Sequence, residues 1–228
     1  MPDNQIIHAD CLEAMRSYED QAFDLVLTDI PYGIGIHKMN FVKSGAKRIG
    51  KATRNDYRTT GTWDSLPPPE VFDEIRRVAK HYIIWGGQYA NWPGGRQWLV
   101  WDKRIEDKYK NDYSDCELAI TSFDAPSRVF YYLWSGFLRG DNSVFEKRYH
   151  PTQKPVELMN WCLNTIAKLP PGARVLDPFA GAGTTAIACQ RMGYACVSIE
   201  ISSYYSQITR NRLETEENKM ILFKEKIG

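Results

Sequence analysis

The chain has 228 residues, 43% of them apolar, and a formal net charge of +1. That length and apolar content suit one globular domain with a sizeable core, and the near-neutral balance excludes a protein that holds nucleic acid by bulk charge alone. Five cysteines (Cys11, Cys116, Cys162, Cys189, Cys196) form no Cys-x-x-Cys pair and no ligand spacing with the four histidines, which predicts a reducing compartment and no metal site.

The polar start Met1-Pro2-Asp3-Asn4 does not resemble a signal peptide, and no window approaches the roughly 20 apolar residues of a membrane helix. The expected location is the cytoplasm. Residues 5–8 read as a strand, followed by Ala9-Asp10-Cys11 and a short helix with Leu12 and Met15 on one side. Asp10 at that strand's end either caps the helix, the commoner use, or meets a ligand. The apolar run 23–27 reads as a buried strand that delivers Thr28-Asp29-Ile30-Pro31-Tyr32-Gly33 at its carboxyl end. Asp29 accepts hydrogen bonds, Pro31 biases Ile30 to an extended conformation that frees its carbonyl, and Tyr32 adds a flat face. Two acceptors beside a ring suit a planar group with an amino function, such as a nucleobase amine. The same residue types also make ordinary turns.

From 33 to 62 the composition turns basic, with Lys38, Lys43, Lys47, Arg48, Lys51, Arg54 and Arg58 against a single acid, Asp56, between 33 and 58. A long aperiodic basic loop there suits phosphate contacts, the alternative being a solvated segment. Leu66-Pro67-Pro68-Pro69 starts a helix expected to run through Lys80, with Val71, Ile75, Val78 and Ala79 on one face. Strands follow at 82–85, 98–101 and 117–122. Between 90 and 149 aromatic and basic residues interleave; most of the rings read as core and a minority as a nucleic-acid groove, which makes this stretch a candidate recognition region for DNA beside 33–62. His150-Pro151-Thr152-Gln153-Lys154-Pro155 precedes a helix with Met159, Cys162, Leu163 and Ile166 in register, stopped by Pro170-Pro171-Gly172.

Residues 174–176 form a strand that opens into Asp177-Pro178-Phe179-Ala180-Gly181-Ala182-Gly183-Thr184-Thr185, then a helix to about Met192 with Gly193 as its stop. The strand 195–199 ends at Glu200, 23 positions after Asp177, near the spacing of a ribose-binding carboxylate. There is no third glycine of the dinucleotide fingerprint and no phosphate loop, so a pyrophosphate or triphosphate is poorly served. Asp177 suits an amino group instead. A ligand with a ribose, an amino group and no phosphate is S-adenosyl-L-methionine, and residues 150–228 read as the cofactor-binding part.

Together, the Asp29-Ile30-Pro31-Tyr32 turn, the His150 to Pro155 stretch and the Asp177 to Thr185 turn closely resemble the amino-group DNA methyltransferases that act on adenine N6 or cytosine N4, in their beta order of motifs. The resemblance spans nearly the whole chain. It implies an α/β Rossmann-like methyltransferase fold with permuted motif order and a small DNA-recognition insertion. It implies a single domain over 1–228, S-adenosyl-L-methionine as cofactor, and double-stranded DNA as partner with its target base flipped out. It further implies that Asp29 and the Ile30 carbonyl accept the target amine, with Pro31 restraining that carbonyl and Tyr32 stacking on the base. Asp10 and Cys11 match the cofactor's adenine segment. Lys154, Asp177, Gly181 and Thr184 match the surroundings of its methionine part and Glu200 its ribose ligand, with Phe179, Gly183 and Ile201 as further cofactor-binding residues. One departure is visible: Ile30 stands where the family usually has a first proline, which removes one rigid dihedral. Asp at 29 points to adenine N6, since cytosine-N4 members more often have Ser there. The alternatives are a cytosine-N4 enzyme, a non-catalytic DNA-binding module responsive to the cofactor, an RNA or free-base substrate, and a nucleotide-dependent oxidoreductase. A homodimer is left open.

Overall fold

A computed structural model describes residues 3–34, 64–90, 92, 94–103, 114–135, 138–139, 147–150 and 152–227. The basic residues Lys38, Lys43, Lys47, Arg48, Lys51, Arg54 and Arg58 lie outside that set.

Ten strands are present among the described residues: β1 (Asn4–His8), β2 (Phe23–Asp29), β3 (Ala79–Trp85), β4 (Trp98–Asp102), β5 (Cys116–Thr121), β6 (Arg128–Tyr131), β7 (Trp134–Ser135), β8 (Leu138–Arg139), β9 (Arg174–Asp177) and β10 (Ala195–Glu200). Eight make one sheet in the order β1-β10-β9-β2-β3-β5-β4-β6, and β7 and β8 pair separately. The first five run parallel, β5 is antiparallel to both β3 and β4, and β6 returns parallel to β4. Helices α1 (Cys11–Arg16), α2 (Pro69–Val78), α3 (Val156–Trp161), α4 (Thr184–Met192) and α5 (Ser203–Ile227) accompany the sheet, with a π-helical continuation at Cys162–Ala167.

The central strands are apolar on both sides, as expected of a parallel sheet covered on both faces. On β2, Leu25 and Leu27 join Ile83, Trp85, Val175 and the α3 and α4 residues Leu158, Met159 and Ile187 in one core. Val26 faces the opposite core with Ile84, Leu176 and Val197, against Met15 of α1 and Phe72 and Ile75 of α2. Because β1, β10, β9 and β2 are parallel, their carboxyl ends share one edge, and His8, Glu200, Asp177 and Asp29 all arrive there.

Two helix boundaries differ from expectation. The helix expected through Lys80 ends at Val78, because Ala79 is extended (φ −131°, ψ 146°) and already pairs with Phe23. Sheet pairing there overrides helical propensity. The helix after Pro155 ends before its prolines, with Lys168 in the left-handed region (φ 49°) and its N–H donating to the Leu163 carbonyl.

Candidate active site

A cavity of about 810 Å³ opens along this edge, within the range of small-molecule sites. Asp10, Cys11, Asp29, Ile30, Pro31, Lys154, Asp177, Phe179, Gly181, Thr184, Glu200 and Ile201 line it. Tyr32 and Gly183 are not among its lining residues.

Each acid is fixed before any ligand arrives. Asp10 caps α1 through Oδ1, which accepts from the N–H groups of Leu12 (2.9 Å) and Glu13 (3.1 Å), so it caps and lines the cavity at once. Asp177 Oδ1 accepts from Thr28 Oγ1 at 2.7 Å and from the Phe179 N–H at 3.1 Å. Glu200 takes the Gly181 N–H on Oε2 and the Ser202 N–H on Oε1, both at 2.8 Å. Burial raises the pKa of both Asp177 and Glu200 above the usual carboxylate values, and their hydrogen bonds pull the other way. Burial also pushes the Cys11 thiol up to about 12, so Cys11 contributes a surface and no nucleophile at neutral pH.

The two glycines of the turn do different work. Gly181 (φ 51°) lines the cavity, and a Cβ there would meet nothing within 4 Å. Gly183 (φ 75°) is packed: a Cβ there would overlap Thr209 Cγ2 and lie 2.8 Å from Thr209 Oγ1. Gly183→Ala is therefore expected to cost about 2–4 kcal/mol of stability, from left-handed strain plus overpacking, measured by denaturant unfolding.

Beside the cavity lies a network on Asp29. Lys154 Nζ donates to Asp29 Oδ2 at 2.7 Å, to Glu117 Oε2 at 2.8 Å and to the Tyr32 hydroxyl at 2.9 Å. The Tyr32 hydroxyl lies 2.9 Å from both Asp29 Oδ1 and Glu117 Oε2. Lys103 completes the chain at 3.2 Å from Glu117 Oε1. The Lys154 side chain is 4% exposed, and such a cation is tolerable only because two carboxylates surround it. Burial pushes the Asp29 carboxyl up to about 6, with Lys154 opposing and Glu117 reinforcing the rise. Burial would raise Glu117 too, but Lys154 and Lys103 outweigh it and hold that carboxyl at about 2. For Lys154, burial is outweighed by Asp29 and Glu117, and its pKa lies above the ordinary value. Burial and the nearby Lys154 bring His150 down to about 4, leaving the imidazole neutral at pH 7.

Tyr32, expected to offer a stacking face, stacks on Tyr89 at 4.8 Å and 27°, and Tyr89 is 41% exposed. A base stacked on that same face would take the place of Tyr89. Ile30 is buried, and its N–H donates to the Trp85 carbonyl at 3.2 Å.

Sequence reasoning missed Glu117, Lys103 and Tyr89 in this network. Glu117 did leave a signal, as the one charged side chain in the strand Cys-Glu-Leu-Ala-Ile-Thr. The Gly33 N–H donates to Asp64 Oδ1 at 2.8 Å. Among the described residues no cluster suits a metal ion, and no helix is long and apolar enough to cross a membrane.

The model of the N6_N4_Mtase family, described as DNA methylase, matches residues 95–211. The chain is 40% identical over 258 residues to the type II methyltransferase M2.DpnII of Streptococcus pneumoniae, an alignment covering 92% of this chain and 90% of that protein. It is 25% identical over 261 residues to the type II methyltransferase M.HpaI of Haemophilus parainfluenzae, covering 95% and 76%. Among solved structures, PvuII DNA methyltransferase, cytosine-N4-specific, superposes with a TM-score of 0.59 at 12% identity, covering 96% of this chain and 93% of that one. M1.HpyAVI in complex with SAM gives 0.55 at 18% identity, covering 91% and 98%. At these identities the two structures share the fold.

Proposed function

The chain belongs to the N6/N4 DNA methylase family, and from that premise we propose that it transfers a methyl group from S-adenosyl-L-methionine to the exocyclic N6 amine of adenine in double-stranded DNA, acting on a flipped base. The observation that carries this reading is the placement of Asp29, an acceptor beside a buried cation, on the same cavity as Asp177 and Glu200.

The cavity fits the cofactor in size and in donor set. Glu200, braced by two N–H groups, would hold the ribose hydroxyls, and the missing side chain at Gly181 would let the ligand approach the backbone closely. Asp177 offers a carboxylate for the amino group. When bound, the cofactor supplies a methyl group on a positively charged sulfur. The protein's share is orientation and electrostatics. Asp29 and the Ile30 carbonyl accept the amine's hydrogens, which draws its lone pair out of the ring, and Asp29 stabilises the positive charge that develops on that nitrogen. Holding the two reactants in one cavity supplies much of the remaining acceleration.

Support for adenine comes from Asp at position 29. Cytosine N4 is the second reading, favoured by the shared fold with a cytosine-N4-specific enzyme. Incubation with labelled S-adenosyl-L-methionine and unmethylated DNA, followed by digestion to nucleosides, tests both. Labelled N6-methyldeoxyadenosine is the expected product. Labelled N4-methyldeoxycytidine overturns the base assignment, and no label overturns the methyltransferase reading.

The charge on Asp29 also sets a pH dependence. Its protonated form gives up an acceptor, and its pKa is raised to about 6, so activity is present above that value and lost as pH falls through it. A pH profile of kcat/KM, which reports the substrate-free protein, is expected to show an acid limb near 6. A flat profile down to pH 5 would exclude the role.

A further inference from the structure

Glu117 touches no part of the cavity, yet it is bound to the same two groups that hold Asp29. It sits on β5, which is not adjacent to β2 in the sheet, and reaches the turn across the end of β3. Gly86 makes that reach possible. A Cβ at Gly86 would overlap the Tyr32 ring, so its absence lets the ring lie over the strand end with its hydroxyl between the two carboxylates.

The hydrogens in this network can be counted. A tyrosine hydroxyl has one, and two carboxylate oxygens lie at 2.9 Å from it, so it donates to Asp29 or to Glu117 but not fully to both. The Lys154 ammonium has three, with acceptors at 2.7 Å on Asp29, 2.8 Å on Glu117 and 2.9 Å on the Tyr32 oxygen. An amine arriving at Asp29 competes with both donors. Were Asp29 their sole acceptor, displacing them would strand a buried ammonium and a buried hydroxyl.

We propose that Glu117 is a positioning residue that receives the Tyr32 hydroxyl hydrogen and the Lys154 ammonium when a substrate amine takes their place on Asp29. The exchange requires rotation about the Tyr32 C–O bond and a small displacement of Nζ. It breaks no covalent bond and moves no net charge into the site. Lys103, at 3.2 Å from the other Glu117 oxygen, keeps that carboxylate ionised and fixed on the sheet. The groups that face Asp29 are thus Tyr32 from its own turn, Lys154 from the stretch before α3, and Glu117 from β5. The inference rests on the proposed reaction for its purpose, but the coupling between the two carboxylates can be measured without it.

The test is Glu117→Gln, which keeps the shape and removes the charge. Carboxyl carbon NMR of Asp29 against pH, in the cofactor-free protein, is expected to show its midpoint lowered by about half a unit or more, because the neighbouring anion that raises it is gone. In turnover, kcat should fall on the order of 10- to 100-fold, with cofactor Kd and DNA KM within about threefold of wild type. Glu117→Asp keeps the charge on a shorter reach. It should leave the Asp29 midpoint near wild type and still lower kcat, which separates the electrostatic part from the positional one. An unmoved midpoint in Glu117→Gln, or wild-type kcat in both variants, overturns the inference. A wild-type protein that transfers no methyl group while the Glu117→Gln midpoint moves overturns the proposed reaction and leaves the coupling established.

Discussion

Asp29→Ala is expected to lower methyl transfer to DNA by about 10²- to 10³-fold while cofactor affinity stays within about threefold. The separation follows from where the parts sit. Asp29 belongs to β2, whereas the carboxylates proposed to meet the cofactor, Asp177 and Glu200, belong to β9 and β10 and are held by their own hydrogen bonds. Removing Asp29 leaves Lys154 paired with Glu117 at 2.8 Å, so the site keeps a counter-ion and does not open. What disappears is the acceptor for the amine. Single-turnover transfer of a labelled methyl group, beside a calorimetric cofactor titration, measures both quantities. Turnover near the wild-type rate would remove Asp29 from the mechanism, and loss of cofactor binding would recast it as a cofactor ligand.

The second large effect is expected from a residue that touches neither reactant. Gly86 has φ 78°, and a Cβ there would overlap the Tyr32 ring. Gly86→Ala should cost about 2–4 kcal/mol of stability and lower kcat by about tenfold or more, because Tyr32 can yield only by drawing its hydroxyl away from Asp29. Gly193→Ala supplies the control. Gly193 has the same φ of 78°, yet a Cβ there meets nothing within 4 Å. It should show the backbone penalty alone, about 1–2 kcal/mol, with full activity. Denaturant unfolding and initial rates on the two variants make the comparison. Equal activities would mean that Tyr32 tolerates displacement.

How much of this the sequence revealed depended on distance along the chain. The strands β2, β9 and β10 and the acids at their ends were legible, since a continuous apolar run that stops at a turn is a local signal. The glycine stop at Gly193 and the cap at Asp10 were legible for the same reason. The edge strand β6 was not, because Val129 and Tyr131 are 46% and 72% exposed and show no buried alternation. Helix α5 was hidden by its own polarity. Its described part buries Tyr205, Ser206, Thr209, Arg212 and Leu213, and two of its packing contacts are hydrogen bonds, from Thr209 to the Gly181 carbonyl and from Arg212 to the Ala182 carbonyl. The network on Asp29 was the least legible part. Lys154 is 125 positions from Asp29, and Glu117 lies 85 from Tyr32, so no window of sequence contains both partners.

The strand order has a consequence for synthesis. Strands β1 and β2, made well before β9 and β10, are not neighbours: β10 and β9, encoded more than 140 positions later, lie between them. Until those arrive, β2 has an apolar edge without its partner, and the nascent chain carries an open slot in the middle of its future sheet. The turn that carries Asp29 is thus made early, and Asp177 and Glu200 join it on the same edge only when β9 and β10 are inserted beside it. An interrupted product of translation would contain the whole of Thr28-Asp29-Ile30-Pro31-Tyr32-Gly33 and still lack the other wall of its cavity.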